Sequence, residues 1–404
     1  MDEQVLDSRY SWGRLALSLL IACIGNIGMW AIIVMMPAMQ NDFGVDRGSA
    51  SLPYTATMIG FALGNFLIGR MVDRFGITVA LWGAAISTAI GFVGSAYAPN
   101  ITVVAMMQFL AGLGTAACFG PLIADVSQWF LKRRGVAVAI AACGNYLSGT
   151  IWPMVLKPMI AAGDWRQAYI ALAIIVLAAV LPLSLFLRRR VPLAAQAHSD
   201  AVNSARVRSS GFTPRQLTWL LGLAGIACCM AMSMPQVHIV AYCADLGYGP
   251  AVGAEMLSLM LLGGVISRLI SGLLSDRIGG VATLLIGSTL QTIGLILYLP
   301  FDGLVPLYVV SAVFGLSQGG IVPSYAVIVR EYLPAREAGT RVGFVMMATI
   351  LGMALGGWMS GWIYDQSGSY FLAFINGIGW NVLNLGIVIL LIQRSRSATR
   401  ALTA

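Results

Sequence analysis

Twelve stretches of this chain are each apolar over about twenty residues, the length a helix needs to cross roughly 30 Å of hydrocarbon. They fall at residues 15–39, 52–70, 78–97, 101–124, 135–160, 166–187, 217–243, 252–274, 281–300, 304–329, 339–362 and 370–392. Lipid offers backbone N–H and C=O groups no partner, so only helices or a closed barrel can span it, and runs of this length specify helices. The expected fold class is an all-α membrane protein with twelve transmembrane helices. Composition agrees, with 58% of residues hydrophobic and 10% charged, where a soluble domain has about 25% charged. The first run exceeds the apolar core of a cleaved signal peptide and reads as a span.

Charge sets the orientation. Twenty of the 24 Lys and Arg residues fall in or at the edges of the tails and alternate loops of one side, only Arg47, Lys157 and Arg166 fall in or beside the loops of the other, and Arg268 stands well inside a span. That asymmetry predicts both termini in the cytoplasm and accounts for the net charge of +8 without a nucleic-acid partner. The six cysteines, at 23, 118, 143, 228, 229 and 243, all lie in predicted spans with no CxxC. They read as small core residues, so neither a disulfide framework nor a metal site is expected, and no cofactor. No HExxH, phosphate-binding loop, dinucleotide fingerprint or nucleophile–base pairing is present, which argues against an enzyme. The short tails leave no room for a soluble signalling domain. The expectation is a monomer surrounded by lipid bilayer in the inner (cytoplasmic) cell membrane.

The chain divides into a first half over 1–187, a polar cytoplasmic linker over 188–215 that opens with three arginines, and a second half over 216–404. The halves repeat. Gly69-Arg-Met-Val-Asp73-Arg74-Phe-Gly76 follows span 2 and Gly272-Leu-Leu-Ser-Asp276-Arg277-Ile-Gly279 follows span 8, a GxxxDRxG pattern displaced by 203 residues. Pro121 with Pro323, and Asp164-x4-Tyr169 with Asp365-x4-Tyr370, repeat at nearly the same displacement. Parallel halves of this kind are one architecture of secondary transporters. In each loop the glycines permit a tight helix exit, and the aspartate is placed to accept from free N–H groups at a helix start.

With this pair of loops, twelve spans and a basic central loop, the chain resembles the major facilitator superfamily. Trp129-Phe-Leu-Lys-Arg133-Arg134-Gly135, leading to Gly144 and Gly149, is similar to the span-5 entry of its monocarboxylate porter and oxalate/formate antiporter branch. That branch also keeps a carboxylate-binding arginine where Arg268 stands. The resemblance implies a substrate site between the halves near midplane, lined by spans 1, 4, 5, 7, 8, 10 and 11. It further implies that Asp73, Arg74, Asp276 and Arg277 form a latch that locks the cytoplasmic ends of the halves in the outward-facing state and releases on rocking. The chain departs from the branch in having Ile77-Thr78 where the first loop usually carries a basic pair, and Gly264 where animal porters carry an acid one turn before the arginine. It has no lysine in span 1 or span 11.

Arg268 is the sharpest single feature. A guanidinium in hydrocarbon costs about 3 kcal/mol or more, so it must face a protein or watery interior and an anionic partner, or snorkel to the cytoplasmic surface. One buried positive charge suits one carboxylate and favours a monocarboxylate substrate. His238, three residues after Pro235 in span 7, is the one histidine in a span and the candidate proton carrier; a packing histidine at the membrane interface is the competing reading. Asn26, Asn145 and Gln318 are amides that line a cavity or glue helices together. By the resemblance, Phe119 and Tyr325, flanking Pro121 and Pro323, would face the apolar end of a substrate. Asn376, Asn381 and Asn384 in span 12 are expected to be peripheral to the cavity.

The function these readings favour is alternating-access symport of a small monocarboxylate with a proton. Exchange of one carboxylate for another needs no titrating residue and stays open. A polyspecific exporter of the same fold would take lipophilic cations, and the sequence offers no intramembrane carboxylate to bind them.

Overall fold

The computed structural model describes residues 6–45, 47–161, 164–192, 212–333 and 337–403. Most of the expected linker, 193–211, lies outside these residues. Among the described residues every regular element is helical. The helices are α1 (Arg9–Gly25), α2 (Ile27–Phe43), α3 (Arg47–Phe75), α4 (Ile77–Ala96), α5 (Ile101–Thr115), α6 (Gly120–Gln128), α7 (Arg134–Ala161), α8 (Trp165–Leu185), α9 (Pro214–Asp245), α10 (Pro250–Ile278), α11 (Gly280–Leu297), α12 (Leu304–Gln318), α13 (Ile321–Tyr332), α14 (Ala338–Ser367) and α15 (Phe371–Thr403). Twelve helical segments are long and apolar enough to cross a membrane, from Arg9–Ile33 to Phe371–Arg394.

Fifteen helices make twelve spans because spans 1, 4 and 10 are each interrupted. In span 1 the break is Asn26, whose side-chain amide donates to the Ala22 carbonyl at 2.8 Å and competes with the helix's own hydrogen bonding. In span 4 a 3-10 turn, Ala116–Cys118, leads to Phe119 at φ −121°, ψ −100°, and Pro121 then starts α6 where a missing N–H costs nothing. In span 10 the interruption is Gly319-Gly320. Three residues singled out in the sequence, Asn26, Phe119 and Gln318, stand at these three breaks. By contrast, α9 runs unbroken through Pro235.

Two compact units form. The first comprises Met1–Leu131, Ile140–Ala197 and Ala335–Met347, and the second Lys132–Ala139, His198–Pro334 and Ala348–Ala404. The start of α14 therefore belongs to the first unit and the start of α7 to the second. In the first, α3 packs on α5, and α4 on α5 and α8; in the second, α10 packs on α12 and α9 on α15. The second unit's apolar core gathers Met234, Met256, Met260, Phe314 and Phe374 around the buried ring of Tyr298, which stacks on Phe374 with centroids 4.9 Å apart.

Candidate functional site

The repeated loops make the same contact twice. Gly76 and Gly279 hold φ at +89° and +85°, conformations that glycine adopts without strain, and so end α3 and α10 tightly. Asp73 then reaches the first turn of α14. Its Oδ1 accepts from Gly339 N at 2.8 Å, and its Oδ2 from Thr340 N at 2.7 Å and Thr340 Oγ1 at 2.6 Å. In the second unit Asp276 accepts from Gly135 N and from Val136 N at the start of α7. Each carboxylate caps a helix far away in sequence, where the N–H groups lack intrahelical partners and the dipole favours negative charge. Arg74 and Arg277 are exposed, and neither joins an ion pair among the described residues.

The sequence-predicted binding residues fall into two groups, one per unit. In the first unit Asn26 Nδ2 donates to the Cys118 carbonyl at 3.0 Å, and Asn145 Nδ2 donates to Asn26 Oδ1 at 3.3 Å. The breaks in spans 1 and 4 are thus tied to each other and to span 5. Trp30 Nε1 adds a 3.0 Å bond to the Asn145 carbonyl, across a contact that leaves no room for a side chain at Gly149. Phe119 is buried and its ring lies 5.9 Å from that of Phe61. Asn26 and Asn145 therefore meet, and every polar atom of the Asn26 side chain is bonded within the unit.

In the second unit Arg268 is 3% exposed, and its Nε donates to the Gly319 carbonyl at 3.1 Å. The Arg268 side chain is thus enclosed by protein. The approach is possible because α10 and α12 touch backbone to backbone: a Cβ added at Gly319 would lie 2.1 Å from the Gly264 carbonyl oxygen. Gly264 thus forms part of a close helix contact at the place where animal porters carry an acid. Next to Gly319 along the chain, Gln318 is fully buried, and neither end of its amide has a hydrogen-bond partner among the described residues. A buried amide in that condition costs about 1–3 kcal/mol unless something else bonds it.

Tyr325 is not brought to Arg268's bonding group. Its hydroxyl donates to Asn384 Oδ1 at 3.0 Å, and Asn384 and Asn381 bond onward to Ser288 and Thr292. This fully buried amide network ties spans 9, 10 and 12 together. His238 is half-buried. Its Nε2 lies 2.8 Å from the Gly357 carbonyl, which can only accept, so the proton sits on Nε2 and Nδ1 faces the Tyr370 hydroxyl at 3.2 Å. With the proton on Nε2, Nδ1 is the acceptor for the Tyr370 hydroxyl.

Sequence reading missed two carboxylates. Asp125 lies inside the span Ile101–Gln128, because α6 continues past the apolar run, and it is salt-bridged to the buried Arg14 at 2.8 Å. Glu255 opens another span and accepts from the Tyr308 hydroxyl at 2.5 Å. The expectation of no intramembrane carboxylate fails at both places. Asp125 is matched by a cation 111 residues away, a pairing no local pattern announces.

Comparison with known proteins places this geometry. The family model described as Major Facilitator Superfamily matches residues 18–302 and 221–404. An MFS-type transporter of Gibberella moniliformis is 27% identical over 327 residues, covering 79% of this chain and 76% of that protein. Monocarboxylate transporter 13 of Bos taurus is 26% identical over 351 residues, covering 85% and 79%. The human organic anion transporter MFSD10 superposes with a TM-score of 0.76 over 94% of this chain and 99% of its own, at 15% identity, a likeness of fold.

Proposed function

This chain belongs to the major facilitator superfamily, multi-pass membrane transporters of small molecules, and from that premise we propose that it carries a small monocarboxylate with a proton by alternating access. The observation that carries the proposal is a 3% exposed guanidinium, Arg268, bonded to the Gly319 carbonyl next in sequence to the buried Gln318 amide, which has no hydrogen-bond partner among the described residues. A carboxylate offers four lone-pair sites, matching an arginine and an amide donor at once. The anion enters, bonds the guanidinium and the amide, and so favours the rearrangement that opens the site to the other side. The similarity to a protein named monocarboxylate transporter 13 supports the same substrate class.

Proton coupling is assigned to His238, whose Nδ1 takes a second proton when the Tyr370 hydroxyl turns from donor to acceptor. Asn26, Asn145, Phe119 and Tyr325 are assigned to substrate binding on their resemblance to positions used in the family. The caps made by Asp73 and Asp276, with Arg74 and Arg277 beside them on the cytoplasmic side, are contacts the cycle breaks and remakes. We read the protein as a monomer in the inner membrane, and the Lys and Arg distribution supports both termini in the cytoplasm.

Carboxylate exchange is the second reading, and one observation favours it: both ring nitrogens of His238 are already hydrogen-bonded, as in a packing histidine. Counterflow of labelled monocarboxylates in proteoliposomes, with and without a pH gradient, separates the two. Symport requires a pH gradient to drive accumulation in the wild type and to fail in His238→Gln. Equal counterflow in all conditions selects exchange. Full uptake by both Arg268→Lys and Arg268→Ala removes the anion site itself.

A further inference from the structure

Within the first unit a cavity of about 740 Å³ opens beside the first turn of α4, and the Arg188-Arg189-Arg190 run forms one wall. We propose that it binds the headgroup of an anionic phospholipid from the cytoplasmic leaflet, with the acyl chains lying along α4. The run is held in place from behind. Arg14, fixed by Asp125, donates through Nη2 to the Leu187 carbonyl at 3.1 Å and through Nη1 to the Arg189 carbonyl at 3.2 Å. The three guanidinium groups then splay apart: Arg188 over the Trp82 ring at 5.9 Å, Arg189 over Tyr10 at 5.0 Å, and Arg190 donating to the Phe75 carbonyl at 2.6 Å. None of the three meets a carboxylate among the described residues.

Two acids also line the cavity, and both are occupied. Asp125 is committed to Arg14, and Asp73 to Gly339 and Thr340. Among the described residues the wall therefore presents three positive charges with no carboxylate bonded to them. The internal repeat shows what the corresponding place holds elsewhere. In the second unit the turn ending at Gly279 is followed by Gly280, whose N–H donates to the Glu331 carboxylate at 3.1 Å. In the first unit neither residue 128 nor residue 129, at displacements of 203 and 202 from Glu331, is acidic: they are Gln128 and Trp129. Where one repeat supplies its own anion, the other supplies a cavity and three arginines.

The occupant's class follows from what continues the cavity. From its rim, Val79, Trp82, Ile86, Ile90 and Val93 stand exposed on α4 at spacings of three and four, a single apolar stripe up the helix. A phosphate on the arginines with hydrocarbon along that stripe satisfies both surfaces, whereas a soluble anion uses only the first. Arginines at the cytoplasmic face each gain from a negatively charged leaflet, and Trp82 sits where amphipathic rings settle at the headgroup level.

The test is a thermal-shift titration of detergent-purified protein with phosphatidylglycerol, phosphatidylcholine and inorganic pyrophosphate, on the wild type and on a variant carrying Arg188→Gln, Arg189→Gln and Arg190→Gln. The expected result is stabilisation by phosphatidylglycerol at least about tenfold lower in half-saturating concentration than by phosphatidylcholine, lost in the variant. Equal response to the two lipids, or an unchanged response in the variant, overturns the site. Pyrophosphate acting as strongly as phosphatidylglycerol overturns the lipid assignment. Should the variant fold poorly, a photoactivatable phosphatidylglycerol on the wild type decides: adducts between Thr78 and Ile86 support the proposal, and adducts spread evenly over the outer helices refute it.

Discussion

The two units share a scaffold and differ at their polar centres. In the first, Asn26, Asn145 and the Cys118 carbonyl form an uncharged cluster in which each Asn26 polar atom is bonded. In the second, Arg268 brings a charge to the Gly319 carbonyl, and Gln318, next in sequence, has an amide without a hydrogen-bond partner among the described residues. The repeated aspartate caps show that duplication preserved the mechanical contacts. On the proposed reading the anion is bound at the charged second centre, while the first is uncharged.

The hardest test of that contrast is Arg268→Ala, expected to cut monocarboxylate uptake at least about a hundredfold, the scale of losing a buried charge-assisted pair. Asn145→Ala, by contrast, should leave the substrate preference intact. Next in size, Asp73→Asn and Asp276→Asn should each lower turnover about tenfold with little change in half-saturation, and by similar factors, because each removes a like cap from a like helix. A large difference between them, measured as initial rates in proteoliposomes, would show that the two loops have diverged in role. Gln318→Leu sharpens the comparison differently: half-saturation should weaken by roughly tenfold while Tm stays level or rises, since an apolar isostere relieves an unbonded amide. Asn26→Leu should do the reverse, lowering stability by about 1–2 kcal/mol because the Cys118 carbonyl and Asn145 lose their partner.

The smallest effect lies outside both centres. Asp42, bonded to Arg166, has its carboxyl held below the usual range by that contact. A group depressed in this way contributes stability above the unfolded carboxylate value near 4, which is lost only as pH falls through the lower folded value. Between pH 7 and pH 5, Asp42→Asn and wild type should therefore show the same change in Tm. A pH-dependent difference in that window would require another titrating partner.

The spans were legible because hydrocarbon imposes a length, and the repeat because GxxxDRxG recurs in register. What hydropathy could not reveal is where a span breaks: Asn26, Phe119 and Gly319-Gly320 interrupt helices without making the segments less apolar. Gln318 was visible as an amide, but that it stays unbonded while Asn26 does not depends on partners from other helices. Tyr325 was assigned to a substrate path on its place beside Pro323, and its bond to Asn384 joins residues 59 apart that no periodicity connects. Arg14 and Asp125 each looked like part of a cytoplasmic loop, and only three-dimensional proximity turns them into a pair.

Gly319 serves two demands with one backbone unit: its carbonyl steadies the Arg268 head, while its missing side chain sets how near α12 lies to Gly264. Adding a single methyl there would wedge the two rods apart and carry the cationic head with them. On the proposed role of Arg268, cargo preference is thus adjustable through interhelical spacing alone, with every charged group left as it is.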